Sequence, residues 1–328
     1  MSTKHLFGRL MVVVRIRPVS LKEAQRDDVT ITAKPINDSH ILIYDPSEDY
    51  LEGICRKERQ RERIYEFDSV FGETSTQSNV FDKSVCTLVD SVLDGYNSSA
   101  FAYGSTGSGK TYTMMGTEGN PGIMPLTLTD LFQKIKVRES EGSCTYNVML
   151  SYLEIYNEQI RDLLDTSAEF LELREDSKGV VVAGITAVKA ISADDILLHL
   201  RKGNKNRSCE STGANEVSSR SHAVIQVFVS CCISKSSGVG KKSVTRNSKL
   251  SMIDLAGSER AAETYNRGLR MIEGANINRS LLALGNCINS LVDPKKNQYV
   301  NYRDSKLTRL LKVFGSNCRT HYLAIAGH

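Results

Sequence analysis

A run of glycines ends in a lysine and a hydroxyl: Gly104-Ser105-Thr106-Gly107-Ser108-Gly109-Lys110-Thr111. Glycines let the backbone curl until successive N–H groups converge on one anion, and a helix opening at Lys110 adds positive potential there. A lysine at this place can neutralise the β- and γ-phosphates of a nucleotide, and the neighbouring threonine hydroxyl can ligate Mg²⁺. Ser and Gly also crowd ordinary turns, so the context decides. The apolar stretch Ala100–Tyr103 before the loop reads as a strand, and strand–loop–helix is what the phosphate reading requires. A second element, Asp254-Leu255-Ala256-Gly257, follows the apolar run Lys249–Ile253. An Asp at a strand end can hold Mg²⁺ through water, and a Gly three residues on can offer its N–H to a γ-phosphate. Alone, this element would equally suit a strand-to-loop turn; downstream of a phosphate loop it points to the same site.

The base follows by elimination. Guanine is commonly read by N-K-x-D, and the nearest string is Asn204-Lys205-Asn206-Arg207, which ends in an arginine. It lacks the carboxylate that accepts from guanine N–H groups, so ATP is expected rather than GTP.

These residues need a scaffold. Runs of strand length at Leu10–Ile16, Ser99–Tyr103, Tyr146–Tyr156, Ala223–Ile233, Lys249–Leu255 and Tyr322–Ala326 alternate with helical patterns at Ser78–Leu93, Leu126–Val137, Ala193–Asn206, Ala275–Leu291 and Asp304–Val313. Several runs are almost continuously apolar, as strands covered on both faces must be. The alternation argues an α/β fold with a central, largely parallel or mixed sheet. Two stretches read as exposed insertions. Asp45–Arg63 ends in the basic run Arg56, Lys57, Arg59, Arg61, Arg63, and Ser234–Ser248 reads as a polar hairpin loop.

The bulk numbers fit a globular chain: 328 residues, 40% hydrophobic, 24% charged, formal net charge +4. No run of 18 apolar residues occurs, so no membrane span is expected. The N-terminal apolar stretch lacks a small-residue cleavage site and reads as a first strand. The 8 cysteines form no C-x-x-C pair, which argues against zinc and suits a reducing compartment. No heptad repeat is sustained, so dimerisation would need segments absent from this chain.

Asn215-Glu216-Val217-Ser218-Ser219-Arg220-Ser221-His222 resembles the first switch of kinesin motor domains, and Asp254-Leu255-Ala256-Gly257-Ser258-Glu259 resembles their second. Arg15-Ile16-Arg17-Pro18 is similar to the family's adenine-flanking motif, and the likeness continues through Tyr152–Glu158, Asn276–Asn286 and Tyr302–Arg309. The resemblance implies an α/β, P-loop NTPase kinesin motor fold: a central, mostly parallel or mixed eight-stranded sheet with helices on both faces, formed by residues 1–328 as a single domain. It implies an ATP hydrolase that is stimulated by microtubules, with ATP and Mg²⁺ in the site. Arg15, Arg17 and Pro18 would form one wall of the adenine site and Tyr112 the other. Gly104, Ser105, Thr106, Gly107, Ser108, Gly109, Lys110 and Thr111 would cradle the phosphates. Thr111, Ser219 and Asp254 would hold the metal. Ser218 would help hold the attacking water, Gly257 would sense the γ-phosphate, and Arg220 with Glu259 would close the site as a switch-to-switch ion pair. Out of context, that pair would be an ordinary surface ion pair worth about 0–1 kcal/mol. Ser105 departs from the family's usual Gln. His222 is expected to make a structural hydrogen bond.

The resemblance also places the track-binding surface after the second switch, on Asn278, Arg279, Lys295, Lys296, Arg303, Lys306 and Arg309, with Lys312 nearby. A second basic group is Arg201, Lys202, Lys205 and Arg207. Such clusters would meet the acidic α/β-tubulin surface, although any single lysine could belong to a solvated face. Nucleic acid is disfavoured because no aromatics interleave with the basic residues and no such motif is present. Asp45–Asp49 with the basic run, Leu171–Gly179 and Arg267–Gly274 look like class-eight kinesins, whose members generally walk toward plus ends and often shorten microtubules. The resemblance implies a location in the cytoplasm on the microtubule cytoskeleton, with spindle and cilium or flagellum as the candidate sites. The family's last helix and neck linker are not visible before His328. The alternative function is therefore a microtubule-binding module with weak or no productive hydrolysis.

Overall fold

The computed structural model describes residues 10–26, 31–44, 62–142, 144–167, 170–176, 179–209, 219–237, 240–259, 269–292, 300–312 and 318–326. Nine strands build one sheet: β1 (Leu10–Ile16), β2 (Ser69–Phe71), β3 (Asn97–Tyr103), β4 (Cys144–Tyr156), β5 (Gln159–Asp162), β6 (Val188–Ala190), β7 (Ser221–Ser237), β8 (Gly240–Asp254) and β9 (Cys318–Ala326). Their order is β5-β4-β7-β8-β3-β9-β1-β2, with β6 also pairing with β4. The half from β8 through β3, β9 and β1 to β2 pairs in parallel. Strands β4 to β8 pair antiparallel among themselves. The sheet is therefore mixed, as the alternation of elements implies, and has one strand more than the expected eight.

Beside the single-turn helix Leu21–Ala24, the α-helices among the described residues are α1 (Gln77–Val80), α2 (Cys86–Leu93), α3 (Lys110–Met115), α4 (Ile123–Ser140), α5 (Ala193–Cys209), α6 (Leu269–Val292) and α7 (Lys306–Leu310). The strand period of two sorts the core between the faces. Ala100, Ala102, Leu150, Tyr152, Ile225, Val227, Leu250 and Met252 face α2, α4 and α5. Their neighbours Phe101, Leu153, Ile155, Val224 and Ile253 face the opposite way, against Leu284 of α6 and Leu307 and Leu310 of α7. Each large buried aliphatic contributes roughly 1.5–3 kcal/mol of transfer free energy, so both faces are firmly clad.

Three local readings change. The pattern over Ser78–Leu93 is a continuous helical run, but Phe81–Val85 between α1 and α2 winds as a π-helix. The Ser84 hydroxyl donates to the Val80 carbonyl there, a back-bond that loosens the ladder. Ser234–Ser248 is mostly strand, because β7 and β8 pair out to Ser237 with Gly240. Its polarity reflects a hairpin that outruns the covering helices, and residues 243–247 are exposed. The expected helix at Asp304–Val313 is a 3₁₀ turn, Tyr302–Asp304, followed by the single short helix α7, which Ser305 caps. The basic run of the 45–63 insertion lies outside the described residues through Arg61. Among the described residues, no helix is long and apolar enough to cross a membrane.

Candidate active site

The parallel pairing of β3 with β8 brings two loops to one edge. Ala102 sits opposite Asp254, so the chain leaves both strands side by side. The segment entering β7 joins them, since Ala223 also pairs with Asp254. Main-chain bonds lock the three together: Leu255 N–H to the Ala102 carbonyl (3.3 Å), Gly257 N–H to Ser219 (2.7 Å) and Ser258 N–H to Gly104 (3.0 Å). The glycine loop, the second switch string and the described end of the first, residues 219–222, thus form one site across more than 150 residues of sequence.

Gly107 and Gly109 take φ of 81° and 99°, left-handed values that give the loop its curl, and Gly109 opens α3. Lys110 is buried, and its ammonium donates to the carbonyls of Gly104 (3.0 Å) and Ser105 (2.9 Å). Burial pushes its pKa down, while Asp254 and Glu259 pull it back up. Glu259 reaches across from the second switch and accepts from the N–H of Thr106 (2.9 Å) and from its hydroxyl. Burial raises the Glu259 pKa, but the Thr106 bonds, its own backbone N–H and the Lys110 charge together make the net shift downward. Gly257 lies beneath this contact. A Cβ there would sit 2.3 Å from both a Glu259 carboxylate oxygen and the Thr106 hydroxyl, so only glycine lets the second switch close on the loop.

Asp254 is the hub. Its Oδ2 accepts from the Thr111 hydroxyl at 2.8 Å and from Arg207 Nη1 at 3.1 Å. Its Oδ1 is buried and has no hydrogen-bond partner. A buried carboxylate oxygen with no donor, on the carboxylate that the Thr111 hydroxyl bonds, is a hard-oxygen set that suits Mg²⁺. Arg207 corrects the sequence reading. Sequence places it in the second basic group, yet it is only 6% exposed, with Glu154 Oε1 at 3.7 Å and the Ser221 carbonyl at 3.0 Å. Burial opposes its charge, but Asp254 and other neighbours outweigh burial and raise its pKa. Sequence could have signalled this, because Ile196, Leu200, Gly203 and Arg207 follow one helical face and all are buried.

His222 has the structural role expected of it. Ala256 N–H donates to Nδ1 at 3.0 Å, which places the ring proton on Nε2, 2.7 Å from the Ser280 hydroxyl. The ring therefore ties the first switch to the second and to α6. Burial, with Arg207 and Lys110 nearby, pushes its pKa down to about 3.

At the expected base site, Arg15 turns inward. Its guanidinium donates to Gln77 (2.8 Å), Thr113 (3.0 Å) and the Ser75 carbonyl (3.2 Å), and lies 5.6 Å from the Tyr112 ring centroid. Arg15 thus braces Tyr112 from below instead of standing as a free wall. Arg17 passes beside Gly109 and is held by a two-pronged pair with Glu23 (2.7 and 2.8 Å). Pro18 and Tyr112 are exposed.

The basic surface runs along α6 and on to α7. Arg279 and Arg303 are exposed, Asn278 and Arg309 half-buried. Lys306 pairs with Glu172 at 3.2 Å, and Lys312 pairs with Glu175. On α5, Arg201, Lys202 and Lys205 are exposed. Ser218, Lys295 and Lys296 lie outside the described residues.

A sheet of this order, with a phosphate loop and two switch segments at one edge, defines a nucleotide-binding motor fold. The family model described as "Kinesin motor domain" matches residues 15–326, and the chain belongs to that family. Among curated relatives, human kinesin-like protein KIF19 is 52% identical over 318 residues, covering 96% of this chain and 31% of the relative. Kinesin-like protein KIN-8A of Arabidopsis thaliana is 47% identical over 320 residues, covering 97% and 42%. Mouse kinesin-like protein KIF18A is 47% identical over 335 residues, covering 98% and 37%. These are class-eight kinesins, in line with the resemblance of the 171–179 and 267–274 strings. The chain spans about a third of the length of the first of these relatives. Among solved structures, a fast kinesin superposes with a TM-score of 0.82 at 33% identity, covering 98% of this chain and 86% of that one. KIF14 with ADP in complex with a microtubule gives 0.84 at 33% identity, covering 97% and 89%.

Proposed function

We propose that the chain is a single motor domain with MgATP as its substrate: a microtubule-stimulated ATPase of the class-eight kind, used for plus-end motility, microtubule shortening or both. The convergence of Lys110, Thr111 and Asp254 at the joined ends of β3 and β8 carries this reading. Lys110 and the loop N–H groups of residues 104–109 hold the phosphates, and Tyr112, braced by Arg15, takes the base with Arg17 and Pro18 at its edge. Thr111, Ser219 and Asp254 would hold Mg²⁺, which when bound supplies neutralisation of phosphate charge. Ser218 orients the attacking water. Arg220 and Glu259 close the site as the switch-to-switch ion pair, and Gly257, whose N–H is held by the Ser219 carbonyl at 2.7 Å, would turn it to the γ-phosphate. Asn278, beside the switch on α6, relays track contact; Arg279, Lys295, Lys296, Arg303, Lys306 and Arg309 face the acidic track. The working location is the microtubule cytoskeleton, in spindle or cilium.

Co-sedimentation with microtubules, in a non-hydrolysable ATP analogue and in ADP, tests this when paired with phosphate release. Tighter binding with the analogue and track-stimulated release are expected. Equal binding in both states without stimulation would leave only a binding module.

A further inference from the structure

The basic surface has counter-charges from within the chain. A two-stranded hairpin, Glu172–Asp176 with Gly179–Ala183, lies against α7. Leu171, Leu173, Val180 and Val182 are buried in the same core cluster as Leu307, Leu310 and Leu311, so the hairpin is anchored there. Glu172 and Glu175 are exposed on its outer side, next to α7. Glu172 takes Lys306, whose side chain is left 19% exposed, and Glu175 takes Lys312. Glu175 also shares a cleft of about 320 Å³ with Arg303 and Arg309, and Lys312 and these cations hold its carboxyl below the usual range.

We propose that Glu172 and Glu175 are an internal mask of the track surface: they occupy Lys306 and Lys312 in the free domain and are exchanged for carboxylates of the acidic microtubule surface on docking. This rests on the track-binding reading above. The exchange is physically cheap, because solvent-exposed pairs of this kind are weak and screened by salt. A mask of this type does not block binding. It lowers affinity and lets the track be released, because each lysine leaving the track has a partner waiting.

The test is the charge-neutral double variant Glu172→Gln/Glu175→Gln, measured against Asp82→Asn/Glu141→Gln, which removes the same charge at exposed sites elsewhere. Microtubule co-sedimentation at low salt should give roughly three- to ten-fold tighter binding for the hairpin variant, with the gain shrinking as salt rises. Amine acylation of Lys306 and Lys312, followed by mass spectrometry without microtubules, should be faster in that variant than in the parent chain. Unchanged acylation, unchanged affinity or an equal gain in the control variant would each overturn the mask. If acylation changes but neither parent nor variant pellets with microtubules, the track reading fails and the masking role falls with it.

Discussion

Replacing Arg207 with Met tests the buried charge network most directly. Met keeps much of the apolar volume while removing the cation. The guanidinium lies 3.1 Å from Asp254 Oδ2 and 3.7 Å from Glu154 Oε1, both carboxylates being buried. Removing one partner of a buried pair costs about 3–5 kcal/mol, chiefly because the remaining charge stays uncompensated. With an unfolding entropy of about 2.1 cal/mol/K per residue, that loss lowers the Tm of this 328-residue chain by about 4–7 °C. Thermal unfolding followed by circular dichroism near neutral pH measures the loss. A Tm within about 1 °C of the parent would refute the argument that Arg207 neutralises this site.

Further outcomes follow from the same geometry. Thr111→Val keeps the shape but removes the hydroxyl that bonds Asp254, so the Mg²⁺ concentration for half-maximal ATP turnover should rise roughly ten-fold. Gly257→Ala pushes a methyl against flexible ends of Glu259 and Thr106; stability should change by less than about 1 kcal/mol, while track-stimulated turnover falls on the order of 100-fold. His222 is held neutral with its pKa near 3 against an ordinary 6.5, so the unfolded chain binds the extra proton between those values. Its contribution is fully present above about pH 6.5 and is lost at about 1.4 kcal/mol per unit as pH falls toward 3. A His222→Gln chain should show a shallower acid limb in urea unfolding, and an identical limb would contradict the assignment.

Much of the site was legible because its signals are local. A curl of glycines, a lysine at a helix start and an Asp at a strand end each specify backbone geometry within a few residues. The strands that position them were legible too, since continuous apolar runs need cover on both faces. Element ends were less so. The β7–β8 hairpin outgrew its apolar run because main-chain pairing continues without buried side chains, and α7 shrank because Ser305 caps a fresh start inside the pattern.

The sequence by itself determined the phosphate loop, both switches, the family and its class-eight character, all of which reside in contiguous strings. The tertiary structure alone decided where the charges went. Arg207, in a basic group of the sequence, became the buried partner of Asp254 and Glu154, Arg15 came to lie against Tyr112, and Lys306 and Lys312 proved already paired with a hairpin more than 130 residues away in sequence. The reason is physical: a charge's role depends on burial and on which opposite charge lies within a few ångströms, and both are set by how distant elements pack.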